Sequence, residues 1–245
     1  MIALPEQIDA CLFDLDGVLT TTAKLHARAW KAIFDEFLRR RADETGEPFR
    51  PFDETVDYER YVDGRHRSDG VRGFLSSRGI ELPDGDPGDS PTLETVAGLG
   101  ARKNSRLLQL LDEQGVEAYP GSVSFVRAVR EQGLRTAVVS ASHNCRRVLR
   151  AAGIEDLFDT RVDGTTLDTE GLAGKPAPDS YLAAAHRLAV EPSRAAVFED
   201  ASAGIAAGRT GGFGLVVGVA RHGNGETLRA AGADTVVSDL AELLG

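Results

Sequence analysis

Along the second half of the chain, short apolar runs rich in β-branched residues alternate with segments whose apolar residues recur at helical spacing. The runs at 134–139, 195–198, 215–219 and 235–237 predict strands, and 121–132, 145–152, 178–189, 202–210 and 226–231 predict helices. A further apolar run ends at Phe13, close to the start. Strands alternating with helices predict an α/β fold: a doubly wound parallel sheet with helices on both faces. Residues 23–102 break the alternation and hold no convincing strand. There 23–41 reads as a long amphipathic helix, 58–61 and 68–78 as shorter ones, and the Pro-, Gly- and Asp-rich stretches 46–53 and 83–91 as loops. The expected organisation is a discontinuous core, residues 1–21 plus 105–245, interrupted by a helical insertion at 22–104.

In an open parallel sheet, ligands sit beyond the carboxyl ends of the strands, and these ends carry the chain's reactive groups. Asp14 and Asp16 follow the first run, with Gly17 after them; one residue apart on an extended strand, both carboxylates would project to the same side. Ser140, Ala141, Ser142, His143 and Asn144 follow the 134–139 run, Lys175 opens a Lys-Pro-Ala-Pro-Asp loop, and Glu199 and Asp200 end the 195–198 run. A hydroxyl, an ammonium and several carboxylates are what a phosphoryl site needs: donors to the oxygens, a cation to meet their charge, and oxygen ligands for magnesium. Glu199 and Asp200 also suit the entry of the helix that follows them.

Taken together, Asp-Leu-Asp-Gly-Val at 14–18, Ser140 with its continuation to Asn144, Lys175 and the Glu199-Asp200 pair resemble the four motifs of the haloacid dehalogenase-like phosphotransferases, and within them the β-phosphoglucomutase-like subfamily. The resemblance implies a Rossmann-like core with a helical cap inserted after the first motif. It implies Asp14 as nucleophile, Asp16 as general acid and base, and Mg2+ held by Asp14, Asp200 and the backbone carbonyl of Asp16, with Glu199 bound directly or through water. Ser140, Lys175 and the Ala141 amide would contact the transferring phosphoryl group. The subfamily likeness extends to Thr22 and His26, Gly64 and Arg67, and Lys103. It implies that Arg67, Ser142 and Asn144 grip a second phosphate, and that His26 and Lys103 handle the sugar and couple cap closure to Asp16. The expected activity is interconversion of β-glucose 1-phosphate and glucose 6-phosphate through an aspartyl phosphate and a bisphosphate; a phosphatase acting on small phosphomonoesters is the competing expectation. Asp16 argues against dehalogenase and phosphonate-hydrolase relatives, and the intact motifs against a non-catalytic scaffold. Two departures stand out: the 39–63 stretch, with Arg39, Arg40 and Arg41, is longer than a compact mutase cap, and His143 stands where relatives often carry lysine.

Composition narrows the partners. The 245 residues are 42% hydrophobic and 27% charged with a net charge of −10, which disfavours extended nucleic-acid binding and leaves room for a local cationic pocket. No apolar stretch is long enough to span a membrane, and Met1 to Pro5 carry no basic-then-apolar leader, so a cytoplasmic address is expected. The family resemblance implies a small sugar phosphate as substrate, and a monomer is expected. Cys11 and Cys145 are expected to be unpaired packing residues.

Overall fold

The structure, a computed structural model, describes residues 2–221 and 223–245; Met1, part of the segment read for a leader, lies outside them. In chain order the elements are β1 (Ala10–Phe13), α1 (Ala23–Thr45), α2 (Arg67–Ser77), α3 (Val96–Gln114), α4 (Pro120–Glu131) and β2 (Arg135–Val139). There follow α5 (Cys145–Ala151), β3 (Thr160–Val162), α6 (Gly164–Glu170), α7 (Asp179–Arg187) and β4 (Ala195–Glu199). The chain closes with α8 (Ser202–Thr210), β5 (Leu215–Val219), α9 (Gly225–Ala231) and β6 (Thr235–Val237). They fall into two compact units, one of residues up to Thr21 together with Val116–Gly245, the other Thr22–Gly115. The return point expected at 105 falls inside α3, which continues unbroken to Gln114 before Gly115 ends it.

The first unit is a six-stranded sheet in the order β3-β2-β1-β4-β5-β6, with every neighbouring pair parallel. This is the doubly wound architecture the alternation predicts. From β1 the chain builds outward to β3, then returns to place β4 on the other side of β1, so the sheet reverses direction of growth at its centre. That topological switch is where such sheets open a crevice at the strand ends. β1 and β4 are buried along their whole length, as strands covered on both faces must be. One face packs Leu12, Val139, Val197 and Ala10 against Tyr181, Ala184 and Ile205 of α7 and α8. On the other, Phe13 stacks on Phe198 at 4.6 Å and meets Phe125 of α4 edge-on at 6.2 Å. Cys11 and Cys145 are free, buried thiols, and burial pushes both well above the usual thiol range, which makes them inert packing groups.

Two core elements had no clear sequence signal. β3 is three residues long with one buried position, and α6 is capped by the Asp163 side chain, which accepts from Thr166 N, rather than announced by apolar periodicity.

The second unit is helical among its described residues. Trp30, Phe34, Phe37 and Leu38 of α1 pack with Val71 and Phe74 of α2 and Leu99 of α3 around Phe52, which comes from the long α1–α2 connection. Phe34 and Phe74 approach to 4.2 Å between ring centres. The helix expected at 23–41 runs a turn further, to Thr45, where Gly46 in the left-handed conformation stops it. The segment read at 58–61 is a single π turn, Tyr58–Val62.

Candidate active site

β1 ends at Phe13, and Asp14 and Asp16 follow at its carboxyl end. Asp14 is held at the strand's lip, its N–H donating to Phe198 O of the neighbouring strand at 2.9 Å. Asp16 lies in a tight loop closed by Gly17 N donating to Thr20 O at 2.8 Å and by the bridge between Asp16 and Thr20. Gly17 takes φ +92°, open to glycine at no steric penalty. Arg221 pins the outside of this loop: its guanidinium donates to Gly17 O and Val18 O at 3.3 and 3.2 Å, to Ser122 Oγ at 2.8 Å, pairs with Asp239, and lies 3.9 Å over the Tyr119 ring. Arg221 was not among the sequence candidates, because its role depends on contacts spanning some two hundred residues of chain and no local motif marks it.

Lys175 is the electrostatic centre. It is 2% exposed, and its three ammonium hydrogens reach Asp14 Oδ1 at 2.6 Å, Glu199 Oε1 at 2.6 Å and Val139 O at 3.1 Å. Burial by itself favours a neutral amine, but the carboxylates of Asp14 and Glu199 outweigh it and hold the ammonium well above the usual lysine range. Burial also pushes the Asp14 carboxyl up; Lys175 opposes this, while the charges of Glu199 and Asp16 add to it. Glu199 is fully buried: Oε1 also accepts from Tyr181 Oη at 3.1 Å, and Oε2 from Ala201 N at 2.9 Å at the entry to α8. The Tyr181 phenol, raised by burial and then by Glu199, stays a donor. Both Glu199 oxygens are thus engaged in bracing Lys175 and the helix entry. Gly204 makes room for this, since a Cβ there would stand 1.7 Å from Glu199 Oε1.

Beyond β2, Ser140 N donates to Val162 O at 3.0 Å, and its hydroxyl lies 3.5 Å from Asp16 Oδ2 while accepting from Ser142 N at 3.1 Å. Ala141, Ser142 and Asn144 follow on the same loop, where Ser142 Oγ accepts from Asn144 N at 3.2 Å. His143 is held by Asp168, 2.6 Å from Nε2. Asp14, Asp16, Ser140, Ala141, Ser142, Asn144, Lys175, Glu199 and Asp200 all belong to the sheet unit. Thr22, His26, Gly64, Arg67 and Lys103 belong to the helical unit. Within it, His26 Nδ1 and the buried Lys103 Nζ are 3.1 Å apart, Lys103 sits 5.0 Å over the Trp30 ring, and Arg67 donates to Gly100 O at 3.2 Å. Gly64 takes φ +68° ahead of α2, and Thr22 O accepts from Leu25 N and His26 N at the start of α1.

One carboxylate oxygen each from Asp14, Glu199 and Asp200 lies within 4.8 Å of the other two. Asp14 and Glu199 share one lysine, Asp200 lies close to both, and Asp16 adds its charge at Asp14, an excess of negative charge that a divalent cation would neutralise. The donors are all oxygen, which suits a hard ion. Asp200 lies directly over Gly17, where a Cβ would come within 1.8 Å of Oδ2, and its carbonyl accepts from Asn224 Nδ2 at 3.1 Å. The residues present fit such a cation. Gly17→Ala is therefore expected to displace Asp200 and strain the loop, weakening the binding of a divalent cation at this cluster at least about tenfold, with a far smaller effect on folding than on activity. A magnesium titration of turnover, with circular dichroism as the fold control, reads this; an unchanged activation midpoint would separate Asp200 from the cation.

The family model for haloacid dehalogenase-like hydrolase matches residues 8–212. The chain belongs to that family. A relative from Mycobacterium bovis named β-phosphoglucomutase is 56% identical over 100% of this chain and 94% of its own length. A second of that name, from Bacillus subtilis, is 33% identical over 96% of this chain and 91% of its own. Among solved structures, β-phosphoglucomutase from Clostridium difficile superposes with a TM-score of 0.74 at 29% identity, covering 96% of this chain and 93% of that one. The chain is thus an enzyme of the β-phosphoglucomutase-like branch of the haloacid dehalogenase family, as its motifs implied. No helix among the described residues is long and apolar enough to cross a membrane.

Proposed function

We propose that this enzyme is a magnesium-dependent β-phosphoglucomutase that interconverts β-glucose 1-phosphate and glucose 6-phosphate. The observation that carries the reading is the full-length 56% identity to a relative of that name, joined to the buried Asp14–Lys175–Glu199 arrangement beside Asp16. Asp14 attacks phosphorus, the bond from phosphorus to the sugar oxygen breaks, and Asp16 gives that oxygen its proton. Asp16 then takes the proton from the incoming hydroxyl as the phosphoryl group leaves Asp14 for it. Transfer to the C6 hydroxyl of β-glucose 1-phosphate yields the 1,6-bisphosphate, and return of the C1 phosphoryl group to Asp14 yields glucose 6-phosphate. Lys175, with Ser140 and the Ala141 amide, meets the phosphoryl oxygens. Glu199 keeps Lys175 charged and aimed. Magnesium, held by Asp14, Asp200 and the Asp16 carbonyl, supplies charge for the transferring group when bound.

The helical unit acts as a cap in this reading, with its boundaries at Thr22 and Gly115. Arg67, Ser142 and Asn144 hold the second phosphate, His26 and Lys103 bind the sugar and couple cap closure to Asp16, and Thr22 and Gly64 contribute to substrate binding. A planar guanidinium suits the phosphate because its fork pairs with two oxygens. The test is a coupled assay on β-glucose 1-phosphate with and without a trace of glucose 1,6-bisphosphate, following glucose 6-phosphate and free phosphate together. Primed formation of glucose 6-phosphate with little free phosphate is expected, and Arg67→Ala should lower kcat/KM by roughly 10- to 100-fold. Steady release of free phosphate without need of the primer would make the enzyme a phosphatase, one kind of hydrolase, the class the family's description names.

A further inference from the structure

Within the helical unit, the connection that the sequence marks as longer than a compact cap builds one wall of an open cleft. The cleft has a volume of about 590 Å³, and its lining includes Leu38, Arg41, Arg50, Tyr61 and Ile80. This wall is braced, not loose. Phe52 is seated among Phe34 and Phe74 at 5.3 and 5.0 Å, its N–H donates to buried Asp35 Oδ1 at 2.7 Å, and its carbonyl accepts from Lys31 Nζ at 2.9 Å. Arg39 lies 4.8 Å over the Phe49 ring, and Asp53 Oδ1 accepts from Thr55 N and Val56 N at 2.9 and 2.7 Å.

Three guanidinia and two carboxylates line the cleft, in a protein of net charge −10. Arg78 and Asp57 neutralise each other at 2.7 Å. That leaves Arg41 and Arg50 against Glu47. Among the described residues neither guanidinium makes a hydrogen bond or an ion pair, and Arg41 Nε is buried with no acceptor. A buried, charged N–H without an acceptor is costly, and native proteins seldom tolerate one unless something else supplies the acceptor. The helix C-terminus does not account for it, because no basic residue lies in the last turn of α1. A second cleft, of about 470 Å³ in the sheet unit, shows the contrast: it too is lined by three arginines, but Arg130 reaches Asp159, Arg135 the carbonyl of Leu188, and Arg187 Glu170.

We propose that the cleft bearing Arg41 and Arg50 is a binding site for a small organic phosphate dianion. Its phosphate oxygens pair with the two guanidinia, which fit them as bidentate forks. Its organic part lies on Leu38, Ile80 and the Tyr61 ring. The site is distinct in its residues from every group assigned to the phosphotransfer reaction, so its fate does not depend on which sugar phosphate the enzyme turns over.

The probe is phenylphosphonate, a dianion with an aromatic body and a phosphorus–carbon bond that phosphoester chemistry does not cleave. It is titrated into the full chain at constant ionic strength while the arginine Nε–H signals are followed by nitrogen-15 NMR, with Arg41→Gln and Arg50→Gln assigning the two peaks. Saturating shifts of both signals with a common midpoint are expected, and Arg50→Gln should move the midpoint read at Arg41 about tenfold upward. Linear shifts that match those in sodium chloride would overturn the site, as would an Arg41 midpoint unmoved by Arg50→Gln. Thermal melts establish whether the variants fold; should one not, the peak missing from the other still assigns one of the two signals, and the wild-type titration read at that signal decides, saturation supporting the site and linearity refuting it.

Discussion

Asp14→Asn is expected to lower turnover by at least about 10³-fold, because the amide cannot form the acyl phosphate on which both half-reactions of the proposed mechanism depend. The same substitution is expected to leave the metal-free protein as stable as wild type or more so. Burial pushes the Asp14 carboxyl up, with Glu199 and Asp16 adding to it. A carboxyl whose folded-state affinity for protons exceeds its unfolded one binds more protons when folded, so metal-free wild type loses stability as pH rises from the ordinary carboxylate range through the raised value for Asp14. Asparagine has no such loss, and its side-chain oxygen still accepts from Lys175. Melting temperatures with chelator, across that pH interval, should therefore diverge in favour of the variant toward neutral pH, while the gain wild type shows on adding magnesium should shrink in the variant. A variant that melts well below metal-free wild type at neutral pH would show that the Asp14–Lys175 pair outweighs the crowding of negative charge.

Lys175→Met is expected to act on folding as strongly as on catalysis. Methionine matches the length of the lysine stem but leaves Asp14 and Glu199, 5% and 0% exposed, facing each other with no cation. Removing one partner of a buried charge cluster typically costs about 3–5 kcal/mol, since the groups left behind stay desolvated without their counter-charge. In a chain of this length that corresponds to a fall in melting temperature on the order of 10 °C. Adding Glu199→Gln to Lys175→Met removes one orphaned charge, and the double variant should recover a measurable part of the loss. Activity should not return with it, because no cation then meets the phosphoryl oxygens. Additive losses in the double variant would mean that Glu199 acts independently of Lys175, and would restore to it the role of a metal ligand.

The readability of this chain divides along the range of the interactions involved. Strand and helix identity in the sheet unit was legible wherever burial on both faces forces a continuous apolar run, as in 195–198, or where a helix carries a clear apolar stripe, as in 121–132. The short β3 was not, because a three-residue strand with a single buried position has no period to detect. α3 was not either: two glycines and a polar centre in 96–114 dilute its pattern, and its apolar face is defined by what α1 and α2 present to it.

The sequence by itself determined the parallel α/β architecture, the helical insertion, the four motif segments at the strand ends and the family, because each is written in local composition and short spacing. Only the tertiary structure decided what those residues do to one another. Asp16 is held beyond the strand end by a glycine turn and a bridge to Thr20. Glu199 is turned to brace Lys175 because Gly204, Tyr181 and Ala201 shape its surroundings. Arg221 locks the loop that follows Asp16 across two hundred residues of chain, and Arg41 of α1 meets Arg50 in one cleft because Phe52 anchors the α1–α2 connection. Each of these depends on the distance and desolvation of charges brought in from far along the chain, and those quantities exist only once the chain is folded.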